Sequence, residues 1–248
     1  MTRTACPNCY DGGMTRFFPI VEPEGDKPRL PQAMHEVRHA LPLASNLGRS
    51  SDEANVYVLI DRVTEAVEAD FPRSLCGAGC GRCCELHRAL IRVYRSEWDV
   101  VHDYLVATLS EEALDRLVRD FWTRFPAYLP LLEQFQAMLD RGDRPQPQPA
   151  DLPIACPLLD TSGSCSVYPI RPAICRGYGL FNLQREGFAE IFACGSQREA
   201  LKGAPDQADG PKLRLPSFSP LYQKVADLCQ DEPKQLIPLW FARTFPER

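Results

Sequence analysis

The residues with the clearest chemistry in this chain of 248 are its eleven cysteines, at positions 6, 9, 76, 80, 83, 84, 156, 165, 175, 194 and 229. Four of them crowd into Cys76-Gly-Ala-Gly-Cys80-Gly-Arg-Cys83-Cys84. Cys156, Cys165 and Cys175 form a second block, Cys194 follows it, and no cysteine falls between Cys84 and Cys156. Closely spaced thiols either pair as disulfides or, as thiolates, bind soft metals such as zinc and iron. The chain opens on MTRTACPNCYDGG, without the apolar stretch of an export signal, which predicts a cytoplasmic protein with reduced thiols. Metal is therefore the expected use of the two blocks.

Cys80 and Cys83 make a CxxC pair, the usual chelating half of a tetrahedral or cluster site. Glycines 77, 79 and 81 are expected to let the backbone curl tightly around a small object. Cys83 and Cys84 are adjacent. Their sulfurs are expected to diverge, facing different metals, or with one ligating while the other packs. The candidate ligands are Cys76, Cys80, Cys83, Cys84, Cys156, Cys165, Cys175 and Cys194, which should converge on one or two foci. Eight thiols suffice for two four-thiolate sites or for one cluster with thiols in reserve. The group held would be an iron–sulfur cluster, 4Fe-4S foremost, or Zn²⁺. Arg171 and Arg176 stand beside thiolates in sequence, where they would either offset anionic charge and donate to sulfur, or hydrogen-bond loop carbonyls.

Other patterns carry less. Cys76-x₃-Cys80-x₂-Cys83 has the radical-SAM spacing, but Arg82 stands where those enzymes place an aromatic residue, and a helical segment follows instead of strand–helix repeats. His35-Glu-Val-Arg-His39 spells the zincin pattern, with Glu65 or Glu68 as conceivable third ligands. Bracketed by Pro28, Pro31 and Pro42, it reads as a short solvated helix. Cys6-Pro-Asn-Cys9 is half a zinc knuckle without its second half, and either borrows ligands such as Cys229 or stays idle. His87 lies near enough to Cys84 to join the site, or is a surface residue.

These residues need a frame. The chain is 44% hydrophobic and 25% charged, with a formal net charge of −5, so it is expected to be globular, without a case for nucleic acid or an anionic membrane. Ser50-Ser51-Asp52-Glu53 reads as a capping box for a helix running to about Ala69, through Val56, Leu59, Ile60, Val63 and Val67. A strand is expected from Ala89 to Tyr94. Ser96 should cap a helix facing inward with Trp98, Val101, Leu105 and Leu109, and Ser110 another with Leu114, Val118, Phe121 and Phe125. A third begins near Pro130. Proline-rich 142–149 is an exposed connector. Val167-Tyr168 reads as a very short strand, Ser196 starts a short helix, residues 203–220 are loop, 220–230 are helical, and a mixed apolar tail ends the chain.

The expected fold is mainly α, with a small loop-rich, cysteine-stapled metal core and a few short strands. The expected domains are an irregular 1–49 with a CxxC, a cysteine-cluster domain 50–203 with inserted helices 96–141, and an extension 204–248 packing on the core.

The runs CGAGCGRCC, CPLLDTSGSCSVYPIRPAICRGYG and ACGSQRE together resemble the CxxCxxCC (YkgJ-type) cysteine-cluster family, a zinc- or iron-chelating domain. Cys165-x-Val-Tyr168-x-x-Arg171-Pro172-x-x-Cys175-Arg176 follows its pattern nearly position by position, and the resemblance covers roughly 55–200. The chain departs from the family in the three-residue spacing of Cys76 and Cys80, where two is usual. Some relatives are flagellin lysine N-methylases that depend on iron–sulfur. The resemblance thus implies a metal ion or cluster as partner, used in metal handling, redox or structure. It implies, as an alternative, a protein lysine N-methylase using S-adenosylmethionine on a protein substrate. A zinc-stapled module offering helices 96–141 to a protein partner is the further reading.

Overall fold

Asn55, rather than Ser50, starts the helix that leads to the first cysteine block. Its side chain accepts from Tyr57 N–H, while exposed Asp52 on the preceding loop accepts from Ala54 N–H at 2.9 Å. Glu53, the acidic residue that would complete the capping box with Ser50, pairs instead with Arg62 at 2.5 Å. The computed structural model describes residues 29–71, 74–85, 91–143, 154–160, 162–185, 188–191, 193–202 and 215–247. The expectations for Cys6, Cys9, His87, the start of the 89–94 strand, the connector beyond Asp143 and the loop 203–214 lie outside them.

Among the described residues the chain is mainly α-helical, with four short strands in two antiparallel pairs. It divides into two compact units. The first holds the described residues up to Gly77 and from Ala173 to Gln230. The second holds Ala78–Pro172 and Asp231 onward. The chain passes between units at three places, so the segment 96–141, the second cysteine block and the last residues share one unit, while 215–230 belongs to the other.

The first unit is built on α1 (Arg29–Ala40) and α2 (Val56–Asp70). The α2 stripe Val56, Leu59, Ile60, Val63 and Val67 is fully buried. At its end, Asp70 accepts from the Arg29 and Leu30 N–H groups at 2.9 and 2.8 Å. This carboxylate supplies the N-terminal cap that the α1 sequence lacks.

The second unit is built from α3 (Arg82–Glu85), β1 (Arg92–Tyr94), α4 (Arg95–Thr108), α5 (Glu111–Arg124) and α6 (Leu129–Asp140). Ser110 caps α5 as expected, accepting from Ala113 N–H. Ser96 does not cap α4. The helix begins at Arg95, Glu97 folds back to accept from Tyr94 N–H at 3.1 Å, and Ser96 instead donates to Glu232.

Elements that the sequence reading missed, α7 (Ala173–Gly177) and the hairpin of β2 (Asn182–Arg185) and β3 (Phe188–Ile191), complete the first unit together with the two expected helices, α8 (Gly195–Lys202) and α9 (Ser219–Leu228). In the second unit, β4 (Lys234–Leu236) pairs antiparallel with β1, Val93 opposite Gln235, and α10 (Ile237–Thr244) follows. The supposed tail is therefore core. Phe241 stacks on Phe121 at 4.5 Å, Trp240 donates to Val93 O and Trp98 to Thr244 Oγ1. Val167-Tyr168 is also not a strand. Tyr168–Ile170 is a 3₁₀ turn, which Pro169 favours because it fixes φ and has no N–H for a ladder.

Candidate metal centre

The candidate ligands divide between the units. Cys80, Cys83, Cys84, Cys156 and Cys165 lie in the second, and Cys76, Cys175 and Cys194 in the first.

In the second unit the two cysteine blocks meet backbone to backbone. Gly79 takes φ +86°, a turn open to glycine, and the chain then closes into α3, with Cys84 and Glu85 N–H both donating to Gly81 O. A Cβ on Gly81 would stand 2.0 Å from Gly163 O, so only glycine permits that approach. Gly77 has no such demand, since nothing lies within 4 Å of the Cβ it lacks. Cys156 N–H donates to Cys84 O at 2.8 Å, a second junction between the blocks. Asp160 shapes the turn on the far side, accepting from Ser162 Oγ and from Ser162 and Ser164 N–H. The hydroxyl above all, and then the N–H groups, hold its carboxyl below the usual carboxylate range.

The Cys83 and Cys84 sulfurs stand 3.9 Å apart. This corrects the expectation that they diverge. Successive Cβ atoms on a helical turn differ by only about 100°, against the alternation of a strand, so χ1 rotation can bring both sulfurs to one side. Cys84 also hydrogen-bonds the Cys156 side chain. That bond first, with burial and the neighbouring Cys156 and Cys165 adding, pushes its thiol far above the ordinary range against an opposing bond from Cys83. Burial likewise pushes the Cys165 thiol up, opposed by the Val167 N–H and by the Arg171 guanidinium. Arg171 lies over the Tyr168 ring at 3.9 Å. Cys84, Cys156 and Cys165 also pack with the hydrophobic core of this unit. Cys80 sits half-buried between Gly79 and Gly81.

In the first unit the three thiols come from three segments. Cys76 faces Gly179, where a Cβ would stand 2.2 Å from its Sγ. Gly179 takes φ +99° and follows α7, which carries Cys175. Cys194 carries the carbonyl that Arg198 N–H bonds at 2.9 Å, the first turn of α8, so it caps the helix, and Ser196 lies inside the first turn. Arg176, 3% exposed, pairs with Asp61 and lies over Tyr57 at 4.5 Å. Asp61 and the fully buried Gln197 were missed by sequence reasoning. Glutamine at the third position of α8 was the available signal, since that position so often bonds backbone.

Cys229 is buried at the end of α9. His35 and His39 are exposed on α1, their rings 4.6 Å apart, as a solvated helix predicts. Among the described residues no three His, Cys, Asp or Glu side chains form a ready-made ligand shell. No described helix is long and apolar enough to cross a membrane.

The donor set of the second unit nevertheless suits a soft cation. Four thiols share one neighbourhood, and Cys83 and Cys84 are already at the separation of two sulfurs on one ion: a tetrahedral site with metal–sulfur bonds of about 2.3 Å has edges of ~3.8 Å. No curated protein and no solved structure matches the chain. Residues 75–191, which contain every candidate ligand except Cys194, match the family model CxxCxxCC, described as "Putative zinc- or iron-chelating domain".

Proposed function

We propose that the protein chelates zinc or iron through cysteine thiolates, with Cys83, Cys84, Cys156 and Cys165 holding one ion in the second unit and Cys80 in reserve in the adjoining loop. The 3.9 Å approach of the Cys83 and Cys84 sulfurs carries this reading. It favours a single four-thiolate ion over a 4Fe-4S cluster, because a four-iron cluster takes one cysteine per iron and keeps its thiolates farther apart. Cys76, Cys175 and Cys194 make a second group in the first unit.

Bound zinc would supply a redox-inert cross-link, and iron a centre able to change oxidation state. The chain's own residues set the terms of binding. Each thiol must lose its proton to ligate, and Cys84 and Cys165 resist that loss, so chelation releases protons and strengthens as pH rises. Arg171 eases the ionisation of Cys165. Gly81 and Gly163 keep the two blocks in contact and so keep the pair on α3 beside Cys156.

The test is metal analysis of protein purified without oxygen, followed by replacement with cobalt(II). Near-stoichiometric zinc or iron, and a cobalt spectrum with intense sulfur-to-metal bands of a tetrahedral thiolate site, are expected. Protein that holds neither metal and gives no such bands would overturn the reading. Broad visible absorption bleached by reductant would instead restore the iron–sulfur cluster.

A further inference from the structure

In the second unit one thiol of each cysteine block lies against the other. Cys156 N–H donates to Cys84 O at 2.8 Å, and the two side chains hydrogen-bond each other as well. A backbone bond of this kind holds the two Cα atoms roughly 5–6 Å apart, close to the separation at which disulfides are most common. Cys84 and Cys156 thus meet at backbone and at sulfur, as free thiols rather than as a disulfide. Cys84 is half-buried and open to a small oxidant, whereas Cys156 is 6% exposed and sits in the hydrophobic core of the unit.

The neighbouring thiols compete poorly for Cys84. Cys83 Sγ stands 3.9 Å away, but a bond between adjacent residues closes a ring through one peptide, which resists leaving the planar trans form. Both also belong to the turn in which Cys84 and Glu85 N–H hold Gly81 O. Cys165, bridged antiparallel to Leu159, reaches Cys84 through charge, where Cys156 reaches it through two hydrogen bonds.

We propose that Cys84 and Cys156 form a reversible disulfide that empties the second-unit site when the protein meets a peroxide. This regulation rests on the reading of Cys83, Cys84, Cys156 and Cys165 as one four-thiolate site. In the ligated state both sulfurs are thiolates. Cys84 Sγ attacks one peroxide oxygen, the O–O bond breaks and hydroxide leaves, giving a sulfenic acid. Cys156 Sγ then attacks that sulfur, the S–S bond forms and a second hydroxide is expelled. Two electrons pass from the two sulfurs to the peroxide, and none comes from the metal. The site then keeps two of its four thiolates, too few to retain the ion. A dithiol reductant reverses the bond by exchange.

The experiment uses the full-length chain, reduced and loaded with zinc without oxygen, then treated stepwise with hydrogen peroxide. A chromophoric chelator follows zinc release, and mass spectrometry after alkylation maps the disulfides. The Cys84–Cys156 linked peptide should be the first to form, with zinc released in step with it and both changes reversed by dithiothreitol. In Cys83→Ser, which removes the adjacent competitor, the same linked peptide should still form; its absence there would overturn the pairing. Zinc retained after the linked peptide has formed, or a first disulfide between any other pair, would overturn the switch and leave chelation standing. Release accompanied only by sulfinic acids, with no recovery in dithiothreitol, would overturn it as well. A chain that takes up no zinc at the outset would remove the chelation reading and the switch with it.

Discussion

Cys83 and Cys84 share a single turn of α3, their sulfurs 3.9 Å apart, whereas Cys76, Cys175 and Cys194 enter from three segments joined through one glutamine amide. The two units also treat their arginines differently. Arg176 is buried and already paired with Asp61, so its charge is largely spent before any thiolate forms. Arg171 lies on the Tyr168 ring and still acts on Cys165, drawing its ionisation toward lower pH. The sequence gives both arginines the same setting, beside a proline or a cysteine in one motif. Their environments separate them. A thiol site is local in sequence only where one helical turn supplies the sulfurs.

The sharpest way to break this comparison is at the ligands. Cys84→Ser should lower zinc affinity of the second unit's site by about 100-fold or more, since it removes a sulfur and leaves Cys156 without its partner, while Cys76→Ser should leave that site unchanged. Competition against a chromophoric chelator measures both. Equal losses from the two variants would mean that the eight cysteines act as one site.

The arginines come next. Arg176→Leu should destabilise the metal-free protein by about 2–3 kcal/mol, because it strands Asp61 and uncovers Tyr57; the figure is held below that of a fully buried pair because Asp61 is 37% exposed. Arg171→Leu should lose about 0.5–1 kcal/mol through the stacking on Tyr168. It should, however, shift the pH midpoint of metal binding upward, which Arg176→Leu should not do. Urea unfolding and zinc titration between pH 6 and 9 (a range chosen to span roughly the ordinary thiol and histidine values) separate the two effects.

Glycines in the first cysteine block sharpen it further. Gly81→Ala should destabilise by about 1–3 kcal/mol, as its Cβ must push Gly163 away, and weaken the second-unit site with it. Gly77→Ala, with open space around it, should stay within about 0.5 kcal/mol.

The smallest effect is on pH. Folded Cys84 and Cys165 keep their protons where the unfolded thiols, with an ordinary value of 9.0, release theirs. The folded state then binds more protons, so the metal-free protein should be fully stabilised below that value and lose stability as pH rises beyond it. Thermal melts at pH 8 and 10, roughly one unit either side, test this, and a melting point that rises with pH would contradict it.

Much of the helical frame was legible from periodicity. The α2 and α5 stripes recur at helical spacing over three or more turns, so no tertiary partner was needed to find them, and Ser110 caps α5 by a purely local bond. Reading failed where a local pattern had a competing partner. Ser96 resembles a cap but is held by Glu232, 136 residues away, and the capping box before α2 dissolves into a turn around Asp52. The final segment looked like a tail because β4 and α10 are too short to show a period, and β4 exists only through its pairing with β1.

The metal site divides along the same line. Residue type and spacing alone determined that the chemistry here is thiol chemistry in two blocks, because sulfur's affinity for soft metals is a property of the side chain and CxxC spacing is a property of the backbone. Tertiary structure decided the rest: which cysteines share a unit, that adjacent Cys83 and Cys84 turn to the same side, that Arg176 is spent on Asp61, and that Gln197 ties the first unit's segments together. Each of these depends on a partner more than 15 residues distant or on a side-chain rotation, and a linear pattern of residues encodes neither.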